Sequence, residues 1–472
     1  MLDVFLRAGV LTTGALLSLP GLTDEFAPGG QTSVHQSGPH AFSLPSANMA
    51  VSRRLDFSVG NSFFRNPWVS SPSSTTARDG LGPLFNTNAC QNCHVRDGRG
   101  HAPAGPDDDF VTALIRLSIP EQNDADDQQA LTAGRLLEPH YGGQLQDFSI
   151  QGVAAEARIR VRWKTVPVAL SPTNQTLLRQ PVIQVDQLQY GPLHPQTQLS
   201  MRVAPPMIGL GLLEAIDAQA ILAHVDEQDE DGDGISGRAN WVWSREHQQA
   251  MLGRFGWKAG QPTLNQQNAA AFQGDLGLTS RLFPESNCTA AQTACLDAPN
   301  GGSPEVSDEI LSFILHYTRN LAVPFRDQAM TETKSDAGME RLRLGKTTFH
   351  AIGCAACHTP SFITGKHVDR PEQSQQEIWP YSDLLLHDMG AALADDQREF
   401  LASGSEWRTP PLWGIGHTLN VSGEVSLLHD GRARNVEEAI LWHDGEAARA
   451  RQRYLELSTQ AREALVYFVN SL

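Results

Sequence analysis

Two pentapeptides in this chain repeat one chemistry-bearing pattern, Cys90-Gln91-Asn92-Cys93-His94 and Cys354-Ala355-Ala356-Cys357-His358. Two thiols on one turn can add to the two vinyl groups of a haem. A His directly after the second Cys then faces the iron as an axial ligand. The pattern therefore reads as covalent c-type haem attachment, twice, with His94 and His358 on the irons. Zinc sites and thioredoxin-like redox pairs also use Cys-x-x-Cys, but neither calls for a His immediately after each pair.

Two further groups of residues could do chemistry. Cys288 and Cys295 are the only other cysteines. They stand in a Thr/Ala/Gln-rich stretch, where a local disulfide is the leading reading and free thiols the other. Asp229, Asp231 and Asp233 alternate with Gly232 and Gly234 as in the opening of a Ca2+ loop. An EF-hand wants Glu at the twelfth position from Asp229, where Asn240 stands, so an acidic solvated turn competes with the Ca2+ reading.

The chain has 472 residues and a net charge of -17, with a pI near 5.3. That length leaves room for a domain around each haem, and the acidity carries no footprint for nucleic acid. An acidic surface suits docking of a basic redox partner such as a small cytochrome. A disulfide and c-type haems both point to an oxidising, extracytoplasmic compartment, here the periplasm. Residues 1–25 read as a signal or anchor segment, although Asp3 weakens its positive start. No other apolar run is long enough for a stable membrane span, so the mature chain is expected to be soluble.

Elements must position these groups. Residues 23–50 are rich in Gly, Ser, Pro and His without a period and read as a flexible lead-in. Residues 113–117, 157–163 and 182–185 alternate apolar and polar side chains, which predicts short strands forming a small sheet beside the first haem. Ser307 is placed to cap a helix carrying Ile310, Phe313, Ile314 and Tyr317 on the helical period, and Pro324 to stop it. A helix from Ser335, with Met339, Leu342 and Phe349 on one side, leads into the second motif. A last helix, capped near Ser458 or Thr459, puts Ala461, Leu465, Phe468 and Val469 on one face. The expected fold is mainly α: a cytochrome c-like haem domain over 26–328 with a small β-rich insertion, and a second over 329–472, the boundary falling near 324–334.

Several stretches resemble the bacterial di-haem cytochrome c peroxidase superfamily. Near the C-terminus these are Trp407-Arg408-Thr409-Pro410-Pro411-Leu412, Leu428-His429-Asp430-Gly431 and Val436-Glu437-Glu438-Ala439. The resemblance places a distal ligand of the second haem, usually Met, at His443, which would make that iron bis-imidazole, low-spin and low in potential. Met389 is the alternative ligand, and His429 is expected to hold its turn. In the middle of the chain, Phe255-Gly256-Trp257-Lys258-Ala259, Leu264-Asn265-Gln266-Gln267 and Asp275-Leu276-Gly277 resemble the segment that lies between the haems. By that match Trp257 bridges electron transfer, Gln267 lines the distal pocket of the first haem and Asp275 replaces a catalytic Glu. His101 is a further candidate distal ligand there, with a solvated loop His as its competing reading.

Gly82-Pro83-Leu84-Phe85-Asn86, residues 202–216 and residues 253–259 are similar to a narrower family, the di-haem oxidoreductases, also called thiol oxidoreductases. The resemblance implies an exported peroxidase-like enzyme. Electrons from a small redox protein or cytochrome would pass from the C-terminal haem to the N-terminal haem, where hydrogen peroxide is reduced. Two competitors share these motifs: a maturation-type enzyme that oxidises a partner protein, and an electron-transfer cytochrome with no catalysis.

Overall fold

A computed structural model describes residues 24–171, 174–326 and 336–472. Nearly all of the expected leader and most of the expected domain boundary, from residue 327 on, lie outside the described residues.

Helix α1 (Arg54–Arg65) leads to the first motif, which is itself a single turn, α2 (Cys90–Cys93). Strand β1 (Ala113–Ser118) follows, then the long strands β2 (Arg158–Ser171) and β3 (Asn174–Asp186), and β4 (Gln198–Val203). Helices α3 (Leu264–Leu276) and α4 (Asp308–Arg319) close the first half. The second half runs α5 (Asp336–Ala351), the short ribbon β5 (Leu386–Asp388) and β6 (Glu406–Arg408), α6 (Val436–Trp442) and α7 (Thr459–Val469).

Both halves clamp their motif with a helix pair brought close by a glycine. On α1, a β-carbon at Gly60 would stand 2.2 Å from the Phe313 carbonyl oxygen of α4. On α5, one at Gly345 would stand 2.1 Å from the Ala464 carbonyl oxygen of α7. Only a missing side chain allows backbones to approach so closely. Side-chain caps start these helices where the sequence placed them: Ser307 accepts from the Ile310 N–H at 3.2 Å, and Ser458 from the Ala461 N–H at 3.3 Å. The Ser307 helix ends at Arg319, before Pro324.

Mainly α understates the strands, since 31% of residues are helical and 19% extended. The strands do not gather into one sheet. β1 pairs antiparallel with β4, while β2 and β3 form a separate hairpin. One face of that hairpin packs on the second half: Leu178 is 2% exposed among Leu342, Phe349, Trp442 and Phe468. Arg179 ties it there, donating to the carbonyls of Gly431 and Arg432. The strands outrun the expected short segments because this inward face must span from one half to the other.

The stretch read as a flexible lead-in is packed from residue 25 on. Phe42 is 1% exposed, and Glu25 is buried against Arg326, Lys346 and Tyr381. Isolated anchors of this kind leave no periodic trace. No helix among the described residues is long and apolar enough to cross a membrane.

Candidate haem-binding sites

At the second motif α5 stops at Gly353, whose φ of 99° turns the chain into the tight turn Cys354–Ala356. The His358 Nδ1–H donates to the Tyr381 carbonyl at 2.9 Å, which leaves Nε2 to ligate. Burial pushes His358 down to about 4, helped by the nearby His443, so the ring is neutral, as a ligand must be. His443 ends α6, and its Nδ1–H donates to the Ala439 carbonyl at 2.6 Å. Burial lowers His443 too. Cys354, Cys357, His358 and His443 line one apolar cavity of about 190 Å³ with Phe349, Leu412 and Ile440. An apolar cavity with two thiols and two neutral imidazoles offers the donor set that a haem requires.

Met389 lines the same cavity. His387 also reaches it but is engaged elsewhere: Asp383 and Glu446 hold its ring at 2.8 and 2.7 Å and raise it well above the usual imidazole range against the opposing effect of burial. His429 lies flat on Trp407, ring centroids 3.6 Å apart, and burial pushes it down to about 3.

The first motif repeats the proximal geometry. His94 Nδ1–H donates to the Pro205 carbonyl at 2.8 Å, in the 202–216 segment. What faces it differs. Gln267, Ala271 and Asp275 succeed one another at four-residue spacing, so α3 presents them on one face. The charge of Asp275 acts on Cys90, Cys93 and His94. Its Oδ1 accepts from Gln144 Nε2 at 2.8 Å, and its carbonyl from the N–H groups of Asn86 and Thr87 just before the motif. Gln267 Oε1 lies beside Gly256, 3.9 Å from where a β-carbon would stand. His101 Nδ1 lies 4.0 Å from Glu424.

Trp257 is buried and fixed by a bond from Nε1–H to the Val203 carbonyl at 2.9 Å. It lines the cavity of the second motif, and Arg99, five residues beyond His94, stands 5.2 Å from its ring centroid. Trp257 thus touches both motifs' surroundings. Behind it, Lys258 pairs with Asp395 at 3.0 Å and Arg202 with Glu399 at 2.6 Å, a buried ion cluster that fixes β4. The sequence assigned no role to Gln144, Arg99 or Arg408, although Arg408 stands in the Trp407–Leu412 stretch. Gln144 sits in a stretch without a motif, and Arg99 carries only its closeness to His94 as a signal.

Cys288 and Cys295 are joined, with Cα atoms 5.9 Å apart. The acidic loop groups Asp229 and Asp231 with Asp226 rather than with Asp233. Asn240, at the position an EF-hand gives to Glu, is buried and bonds the carbonyls of Lys258 and Glu399.

No curated protein matches the chain. A solved structure of Kuenenia stuttgartiensis hydrazine synthase pressurised with 20 bar xenon is similar at 12% identity over 100% of both chains, with a TM-score of 0.32, too low to carry an argument. Residues 22–472 match the family described as "Di-haem oxidoreductase, putative peroxidase", and the chain belongs to that family of haem oxidoreductases.

Proposed function

We propose that the chain is an exported di-haem c-type enzyme that reduces hydrogen peroxide at Cys90, Cys93 and His94, with electrons entering at Cys354, Cys357, His358 and His443 and passing Trp257. The observation that carries this reading is the unequal surroundings of two alike motifs. His358 has a second neutral imidazole, His443, in its cavity, whereas the charge acting on His94 is the carboxylate of Asp275, and His101 lies 4.0 Å from Glu424. A haem iron with two axial imidazoles supplies one-electron transfer, and one with an open position supplies peroxide chemistry.

The chain's own residues then divide the work. Tyr381 and Pro205 hold the proximal rings by their carbonyls, fixing which nitrogen is free. In this reading Asp275, steadied by Gln144, carries a proton between the two peroxide oxygens, and the Gln267 amide orients the peroxide. Each turnover consumes one peroxide, two electrons from a reduced small redox protein or cytochrome, and two protons, and yields two waters. Trp257 supplies an indole between the two centres.

Covalent attachment is supported by the motifs. Each Cys-x-x-Cys pair is followed directly by a His, which neither a zinc thiolate site nor a thioredoxin-like pair calls for. The Cys288–Cys295 bond suits the periplasm. A Ca2+, if bound, takes Asp226, Asp229 and Asp231 and orders their loop. The two halves, 26–328 and 329–472, are the haem domains of this reading.

Spectra of the purified protein, oxidised and half-reduced, with and without peroxide, test it. We expect one low-spin iron and one that shows a high-spin band or takes up cyanide, with peroxide consumed at the expense of a reduced cytochrome. Two low-spin irons in every state would leave only an electron carrier. Peroxide consumption that requires oxidation of a protein partner would instead identify a maturation-type enzyme.

A further inference from the structure

The cavity of the second motif has two cationic walls that no protein anion answers. Arg99 and Arg408 both line it, and they are 9% and 7% exposed. Neither meets a carboxylate within ion-pair distance among the described residues. Burial pushes both guanidiniums down to about 10, with only the charge of Asp383 opposing this at Arg408, and Asp383 is already bonded to His387 at 2.8 Å. The third arginine of the cavity, Arg451, has its own partner in Asp444 at 3.4 Å.

A buried guanidinium without an anion is costly, and fixed carbonyl bonds offset only part of that cost. Arg99 gives Nη1–H to the Leu428 carbonyl at 3.1 Å. Arg408 gives Nε–H to Gly256 at 2.9 Å and Nη1–H to Thr409 at 3.0 Å. Both cluster around one turn. Arg99 stacks over the Trp257 ring, and the Arg408 N–H bonds the Trp257 carbonyl at 2.8 Å. A haem carries its two carboxylates on one edge, so two unanswered cations that line the cavity and both meet Trp257 match that edge in number and charge.

We propose that Arg99 and Arg408 hold the two propionate carboxylates of the haem attached at Cys354 and Cys357, so that its propionate edge faces Trp257. This rests on the haem assignment above. Arg99 then serves both halves: it stands five residues past His94, covers the bridging indole and neutralises a carboxylate of the other centre.

The test uses the full chain with Arg99→Gln, Arg408→Gln and the corresponding Lys variants. Mass spectrometry first counts haems at Cys354 and Cys357, and an empty site refutes the assignment and the proposal with it. On loaded protein, the midpoint potential of the low-spin haem is followed from pH 5 to 9. The wild-type potential should be flat with pH, because a guanidinium keeps a buried carboxylate ionised. In each Gln variant it should fall at high pH, since an uncompensated negative charge favours the ferric state, and gain a pH slope as the carboxylate takes up a proton. The Lys variants should restore the flat profile. Loaded Gln variants with the wild-type profile would overturn the proposal. Infrared difference spectra of the wild type, independent of any variant's folding, should show ionised propionates at both pH 5 and pH 9, and protonated ones at pH 5 would equally overturn it.

Discussion

Glu156 is 1% exposed and pairs with no cation among the described residues. Its carboxylate takes the Gln146 N–H and the Gln292 Nε2–H, each at 2.5 Å, and burial still pushes it from 4.5 up to about 8, with Glu138 and Asp147 adding to the rise. The folded chain therefore keeps a proton between pH 4.5 and 8 that the unfolded chain has released. The stability Glu156 contributes is fully present below pH 4.5 and is lost as pH rises through 8. At about 1.4 kcal/mol per unit, the full window amounts to roughly 5 kcal/mol. Glu156→Gln removes the titration while presenting the same shape as the protonated acid. Urea unfolding of both proteins, followed by circular dichroism at pH 5, 6, 7 and 8, checks this. Asp147, which burial also pushes up, to about 7, titrates in both proteins. The variant should gain on the wild type by about 1 kcal/mol per pH unit. A difference that stays constant within about 1 kcal/mol from pH 5 to 8 would refute the reasoning, because it would mean that Glu156 is ionised in the folded state.

Other outcomes follow from the same geometry. His443→Ala should abolish the low-spin signature of the second haem or replace it by one of higher potential as Met389 moves in, and an unchanged low-spin signal would remove His443 from the iron. Asp275→Asn should slow peroxide turnover by roughly a hundredfold or more with haem content unchanged, and full turnover would show that the proton travels elsewhere. Replacing Cys288 and Cys295 together by Ala opens a loop of sequence separation 7, which should cost about 2.5 kcal/mol in chemical denaturation and leave the visible spectrum as it was.

Much of this was legible in the chain because certain residues act locally. Cys-x-x-Cys-His specifies a turn and a ligand within five residues, and Ser307 and Ser458 announce their helices by a side chain reaching three residues ahead. Gln267 and Asp275 were marked only by the resemblance, and the helix that puts them on one face was not among the expected elements. What stayed hidden depends on partners far away in sequence. The hairpin's length is set by Leu178 reaching a core made of Leu342 and Phe468, and Glu25 is buried by Arg326 and Lys346, about three hundred residues on. Asp226 joins Asp229 and Asp231 only through a backbone fold that the alternation of acids cannot reveal. Arg99 and Arg408 look like ordinary arginines until one sees that nothing negative meets them.

The hairpin has a consequence for how this molecule comes into being. Residues 158–186 leave the synthesis or export machinery well before residues 342–469, which form the groove for Leu178, exist outside it. Until then one strand face waits with its apolar side bare, and the second half waits for a piece of core it does not encode. A fragment beginning at residue 329 would lack Leu178 and the Arg179 bonds to Gly431 and Arg432, so it should behave as an incomplete fold rather than as a small independent cytochrome. The two halves mature as one object, and damage to either should appear in the assembly of both.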